Sequence, residues 1–105
     1  MTNRKLKTSE EKINAFLKSF ESGKVRLKSK DYFLERYPYL NTDEVETLFT
    51  LCQEIEDMAY QLALQVVKSD MSIEAQRAMM QSALETTYPY LEATRMHRLI
   101  SRKLY

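Results

Sequence analysis

Apolar residues recur at helical spacing in five stretches of the chain. Residues three and four positions apart lie on one face of a helix, and this spacing runs through each stretch. We predict helices at about 9–22, between Ser29 and Pro38, at 42–68, at 73–87 and at 90–103.

Residue types that begin or end helices stand at the edges of these stretches. Two pairs have capping-box spacing, two serines stand at N-cap positions, and a glycine stands where a helix can stop. These signals are Thr8 with Glu11, Asn41 with Glu44, Ser29, Ser72 and Gly23.

The third predicted helix has the widest apolar face. At about 100° per residue, its apolar side gathers Val45, Leu48, Cys52, Ile55, Ala59, Leu62, Ala63 and Val66, flanked by Phe49, Val67, Leu51 and Met58. This arc is wider than a surface helix needs. We therefore expect other helices to cover it, and a homodimer to bury the surplus.

The sequence YPYL occurs twice, at 37–40 and at 88–91, and contains both prolines of the chain. Each copy stands between two predicted helices. Proline ends the incoming helix, and the tyrosines and leucine beside it can hold the bend against the core. We predict two helix corners, arising either by duplication of a helix–corner–helix segment or by convergent corner chemistry.

Together these elements predict an all-α fold, a compact bundle of four to five helices with one long central helix and two Tyr-Pro-Tyr-Leu corners. We expect a flexible basic arm at 1–8 and a single helical domain at 9–105. The helical interpretation agrees with the single glycine in 105 residues, because glycine scarcity favours helix over hairpin-rich β structure.

Composition narrows the setting of the protein. The chain has no apolar run of the length that a membrane span needs, and its first residues lack the apolar segment of a secretory signal. Cys52 is the one cysteine, so no disulfide can form within the chain. These features predict a cytoplasmic protein without contact with a membrane.

Charge is unevenly distributed along a chain of net charge +1. The segments 1–36, 37–74 and 75–105 carry +5, −7 and +3 respectively. Blocks of opposite sign can pair inside the fold or across a dimer, and this is the interpretation we favour.

The residues that catalysis and metal binding need are sparse. His97 has no carboxylate three or four positions away, so a helical metal pair is missing. Cys52 lies within the apolar arc, where a buried thiol keeps its proton and is inert. With one glycine, a glycine-rich phosphate loop cannot form. We expect no enzyme activity, cofactor, metal or small-molecule substrate.

Two groups of charged residues are candidate binding residues. Glu56 projects into the apolar arc, where it can pair with an arginine of the last helix, mark an interface, or extend from the rim into solvent. On the last helix, Arg95, Arg98 and Arg102 lie opposite the apolar side, with Lys103 beside them. Cations on this face can have four roles. They can stabilise the C-terminus of the helix, pair with acids of the same fold, bind an acidic protein or contact DNA.

The function we predict is that of a non-catalytic interaction or regulatory protein. It would bind a protein partner through the acidic and apolar long helix or through the basic last helix. The alternative is a small DNA-binding regulator that uses the face of Arg95, Arg98 and Arg102. The net charge of +1 is evidence against this alternative, because binding to DNA depends on an excess of cations.

Overall fold

A computed structural model describes residues 9–20 and 30–104 of the chain. Every regular element in these two ranges is a helix. The helices are α1 (Ser9–Phe20), α2 (Lys30–Arg36), α3 (Thr42–Val67), α4 (Ile73–Thr87) and α5 (Ala93–Leu104). The all-α prediction, the long third helix and both corners are confirmed, and α3 with 26 residues is the longest of the five.

Two of the predicted caps are present. The Glu44 N–H donates to Asn41 Oδ1 at 2.7 Å, and the Ala75 N–H donates to Ser72 Oγ at 3.2 Å. Each bond satisfies a backbone donor in the first turn of its helix. The basic arm at 1–8, the Thr8 and Ser29 caps and the Gly23 stop lie outside the described residues.

The first corner, residues 37–40, is a β-turn that follows the end of α2. The Tyr37 N–H donates to Phe33 O at 2.9 Å, and the Leu40 N–H donates to Tyr37 O at 3.0 Å. The second bond closes a four-residue turn with Pro38 at its second position, where the fixed φ of proline is favourable. Leu40 is buried and Pro38 is exposed, so the corner rests on its leucine.

The second corner, residues 88–91, repeats this arrangement. The Tyr88 N–H donates to Leu84 O at 2.7 Å, and the Leu91 N–H donates to Tyr88 O at 3.2 Å. Helix α5 begins at Ala93, three residues later than we predicted. The reason is that Pro89 occupies the second position of a turn and does not open the next helix.

Residue packing divides the chain into two units, Met1–Cys52 and Gln53–Tyr105, with the boundary inside α3. Unit 1 contains α1, α2, the first corner and the first part of α3. Unit 2 contains the second part of α3, then α4, the second corner and α5. Each unit thus has two helices, a corner and a third helix, in that order. The prediction of a single domain over 9–105 stays a prediction.

The core of unit 1 is aromatic. Phe16 and Phe33 are fully buried, and their stacked rings lie 4.2 Å apart. Phe49 of α3 meets Phe33 at 5.7 Å and Phe20 at 5.6 Å, so rings from all three helices pack together. The buried apolar residues of this unit are Ile13, Phe16, Leu17, Phe33, Leu40, Val45, Leu48 and Cys52.

Among residues 53–104 of unit 2, none of the buried residues is aromatic. The buried apolar residues of this unit are Ile55, Ala59, Ala63, Val66, Met80, Leu84, Leu91, Met96, Leu99 and Ile100. Ile55, Ala59, Ala63 and Val66 among them belong to the predicted apolar side of α3. Ile73 of α4 is 49% exposed. It shares a face with Met80 and Leu84, but it is the first residue of α4, beyond the covered part of that face.

Candidate interaction surface

Glu56 forms an ion-pair cluster with the end of α5. Arg102 donates from Nη1 to Oε1 at 2.9 Å and from Nη2 to Oε2 at 2.6 Å, and Lys103 Nζ lies 3.1 Å from Oε1. The Glu56 side chain is 13% exposed. Of our three interpretations of Glu56, pairing with an arginine of the last helix is therefore confirmed, and extension from the rim into solvent is wrong.

The two cations decide the ionisation of Glu56. Burial alone would raise the pKa of this carboxyl group, but the hydrogen bonds and charge of Arg102, with the charge of Lys103, hold the pKa of Glu56 below its ordinary value. The group is therefore charged at neutral pH. The negative charge of Glu56 is thus balanced within unit 2 by the two cations of α5.

The predicted cationic face of α5 is divided by this pairing. Arg102 and Lys103 turn towards Glu56, whereas Arg98 is exposed and Arg95 is half-buried. The dipole-and-pairing interpretation accounts for the last two cations, which stand in the final turn of α5. A continuous row of three arginines facing solvent is not what the helix presents.

A second polar cluster joins α4 to α5. Arg77 donates to Ser101 Oγ at 3.2 Å and to His97 Nδ1 at 2.9 Å. The arginine side chain has only donors, so His97 Nδ1 is the acceptor in the second contact. Arg77 was not among the predicted binding residues, because residues 20 and 24 positions apart form no local sequence pattern.

Beside this cluster, α4, the second corner and α5 enclose an open cleft of about 580 Å³. Its lining includes the polar residues Arg77, His97 and Glu85 and the buried residues Met96 and Ile100. Glu85 accepts a hydrogen bond from Gln81 at 2.8 Å. The polar groups of the cleft are thus largely bonded to one another.

The most distinctive surface of unit 2 is apolar. Tyr60 is 51% exposed, Leu64 37% and Val67 51%. Their spacing of four and then three places them on one ridge of α3, opposite the face that contains Ile55. We call these three residues the α3 stripe.

The remaining exposed large hydrophobic residues do not extend this ridge. Ile73 and Met79 lie on α4, 49% and 52% exposed, and their spacing of six residues places them about 120° apart around the helix. In the described part of the chain, the α3 stripe is thus the one exposed apolar row at helical spacing.

Charged residues stand at both ends of the α3 stripe. Asp57 precedes Tyr60 by three positions, and Lys68 follows Val67; both are exposed. Asp57 and Leu64 are seven positions apart, which places them near one line along α3, and Lys68 is the first residue after the end of α3. The stripe therefore has an acid at one end and a base at the other.

Sequence reasoning missed this stripe although its signal was present. Our prediction counted Val67 as a flank of the apolar arc and assigned no role to Tyr60 or Leu64. Those residues follow the same periodicity, but on the side of α3 away from the core. Apolar residues on the outer side of a helix do not contribute to the core. Their presence there was the feature of the sequence that could have indicated a binding surface.

Residues 9–20 and 30–104 contain no group of three or more histidine, cysteine, aspartate or glutamate residues that is arranged to hold a metal ion. None of the described helices is both long and apolar enough to cross a membrane.

Comparison with known proteins gives no relative from which a role can be transferred. No family model, no curated protein and no solved structure matches the chain.

Proposed function

We propose that this chain is a non-catalytic interaction or regulatory protein that binds another protein through the α3 stripe. The observation that carries the proposal is the exposure of Tyr60, Leu64 and Val67 on one ridge of a helix. Aromatic and aliphatic side chains that line up in this way provide the anchors of helix-mediated protein interfaces.

The surroundings of the stripe support a protein partner. Gln61 and Gln65 are exposed beside it, and charges stand at its ends. A small apolar centre with a polar rim is the usual composition of a protein interface. The buried free thiol of Cys52 fits a reducing compartment, so we propose a cytoplasmic setting.

Binding to DNA through α5 has less support. Arg102 and Lys103 are held by Glu56, and removing them from that carboxylate to contact phosphates would leave its charge half-buried and unpaired. Of the predicted DNA-contacting face, Arg98 is the exposed arginine. One such cation gives little of the electrostatic attraction on which DNA binding depends.

The proposal predicts that Leu64→Glu prevents partner binding. Tagged wild-type protein and the variant would be used to capture proteins from extracts of the native cells, and each captured protein would then be purified and its affinity measured. We expect a loss of affinity of about a hundredfold or more, because a charge would be placed at the centre of the apolar surface.

Met79→Glu is the matched control. Met79 is also exposed, lies in the same unit and acquires the same charge, but it is not part of the α3 stripe. It should bind like wild type. Equal binding by the Leu64→Glu variant, with both variants folded by circular dichroism, would contradict the proposal.

A further inference from the structure

We infer that the partner of the α3 stripe is a second copy of this chain, packed antiparallel so that Asp57 of each copy lies beside Lys68 of the other. This inference rests on the proposed function and names the occupant of the same surface. Three observations lead to it: the spacing of the stripe, the charges at its ends, and the direction in which those charges run.

The spacing of the stripe is that of a helix–helix seam. Tyr60, Leu64 and Val67 are separated by four and three residues, as the core positions of paired helices are. Asp57 stands one further step of three before Tyr60, so it is the next position on the same seam. Two helices that pair along this seam can bury all three apolar side chains of both copies.

The charges select the orientation of the two helices. In a parallel pair, Asp57 would face Asp57 and Lys68 would face Lys68, which places like charges together at both ends. In an antiparallel pair with the two-fold axis between Tyr60 and Leu64, Tyr60 faces Leu64 of the second copy and Asp57 faces Val67. Asp57 then lies next to Lys68 of the second copy, and symmetry produces this pairing twice.

The same charges cannot pair within one molecule. Asp57 and Lys68 are 11 positions apart, which corresponds to about 16 Å along a helix. This separation exceeds the reach of an ion pair and the screening length of about 8–10 Å at ordinary salt. Any energetic coupling between the two positions must therefore come from contact between copies.

The surface of each stripe is small, and the dimer should accordingly be weak. Three apolar side chains per copy are fewer than a standard interface contains, so we expect a dissociation constant of roughly 10–100 µM. A dimer in this range dissociates on dilution, and both states can be measured in the same preparation.

The test is a charge exchange measured by sedimentation equilibrium, from about 1 µM to about 1 mM protein. Asp57→Lys and Lys68→Asp each place like charges together twice in the antiparallel dimer. Each single variant should therefore weaken self-association by about tenfold or more. The double variant restores opposite charges in both places and should dimerise like wild type.

Mixing the two single variants gives an independent readout. Asp57→Lys and Lys68→Asp chains should form a mixed dimer more tightly than either associates with itself, because all contacts between them join opposite charges. Met79→Glu should leave self-association unchanged. Circular dichroism of every variant checks that the helices are intact.

Several results would overturn the inference. A wild-type chain that stays monomeric at the highest concentration would do so, and so would a double variant that associates no better than the single variants. If the wild type is monomeric and Leu64→Glu still abolishes capture of another protein, the proposed function stands and the second copy is not the partner. If the chain dimerises but Leu64→Glu has no effect on dimerisation or capture, both proposals fail.

Discussion

The two corners, 51 positions apart, make the same pair of backbone hydrogen bonds in units whose cores differ in chemistry. Phe33 and Leu84 occupy equivalent positions before the two corners, and both are fully buried. In unit 1 the buried residue belongs to an aromatic cluster, whereas in unit 2 its buried neighbours are aliphatic residues and methionine. The corner geometry therefore depends on its own four residues and tolerates a change of core.

The units also reverse the sign of their ion pairs. In unit 1, Lys12 of the first helix contacts Glu44 of the third helix. In unit 2, Glu56 of the first helix contacts Arg102 and Lys103 of the third. In both units the first helix is thus linked to the third, with the acid and the base exchanged. In each pair the base comes from a basic segment of the sequence and the acid from the acidic middle segment.

The first tyrosine of each corner shows the same contrast. Burial raises the pKa of Tyr37, although the neighbouring Arg36 acts in the opposite direction. Burial also raises the pKa of Tyr88, and there the negative charge of Glu54 raises it further. The two corners therefore have the same backbone hydrogen bonds although a positive charge lies near the first and a negative charge near the second. Neither charge is needed to form the turn.

The two units also differ in the large hydrophobic residues that they leave exposed. All exposed large hydrophobic residues in the described ranges belong to unit 2. Unit 1 buries its large rings wholly or in part, and this comparison leads to the assignment of binding to unit 2.

Replacing Phe33 should have the greatest effect on stability. Phe33→Ala removes a fully buried ring that stacks on Phe16, and we expect a loss of about 3–5 kcal/mol in the free energy of unfolding. Phe33→Leu introduces the residue found at the equivalent position of unit 2 and should cost about 1–2 kcal/mol. Urea unfolding followed by circular dichroism measures both values.

The difference between these two variants sharpens the comparison of the cores. If Phe33→Leu is as harmful as Phe33→Ala, the aromatic cluster is essential to unit 1 and the two cores are not interchangeable at this position. A loss below about 1 kcal/mol for Phe33→Ala would contradict the buried aromatic core itself.

Glu56→Gln should have a smaller effect that depends on pH. At neutral pH we expect a loss of about 1–2 kcal/mol, between the values for exposed and buried ion pairs. Because the folded-state pKa of Glu56 lies below its ordinary value of 4.5, its contribution is complete above that pH and is lost as the pH falls through the folded-state pKa. The difference between wild type and Glu56→Gln should therefore narrow in acid.

Urea unfolding at a series of pH values measures this dependence. Glu54→Gln is the control, since Glu54 is exposed on the same helix and its replacement should change stability by less than about 0.5 kcal/mol. A constant difference between wild type and Glu56→Gln at all pH values would mean that the ion pair does not contribute to folding.

Most of the fold could be predicted because its signals are local. Helical spacing identified the buried face of α3, and the side chains of Asn41 and Ser72 cap the helices that they were predicted to cap. The bend at each proline was also predictable, since proline excludes the preceding residue from a helix. The first residue of α5 was less predictable, because proline is favourable both in a β-turn and at the first position of a helix.

The candidate surface was harder to predict from the sequence. Pairing of Glu56 with Arg102 joins residues 46 positions apart, and periodicity showed that Glu56 needed a partner without showing which cation was near it. Exposure of Tyr60 depends on which faces of α3 are covered by other helices. The periodicity of α3 places Tyr60 outside the apolar arc, but only the packed chain shows that this side of the helix is left exposed.

The most direct test of self-association through the α3 stripe is an amide NMR comparison of dilute and concentrated protein. We predict that chemical shifts change on concentration at residues 57–68, with unit 1 up to Thr50 unchanged, and that Leu64→Glu removes the change. Shift changes centred on α1 or α2, or a spectrum that does not depend on concentration over the whole range, would contradict it.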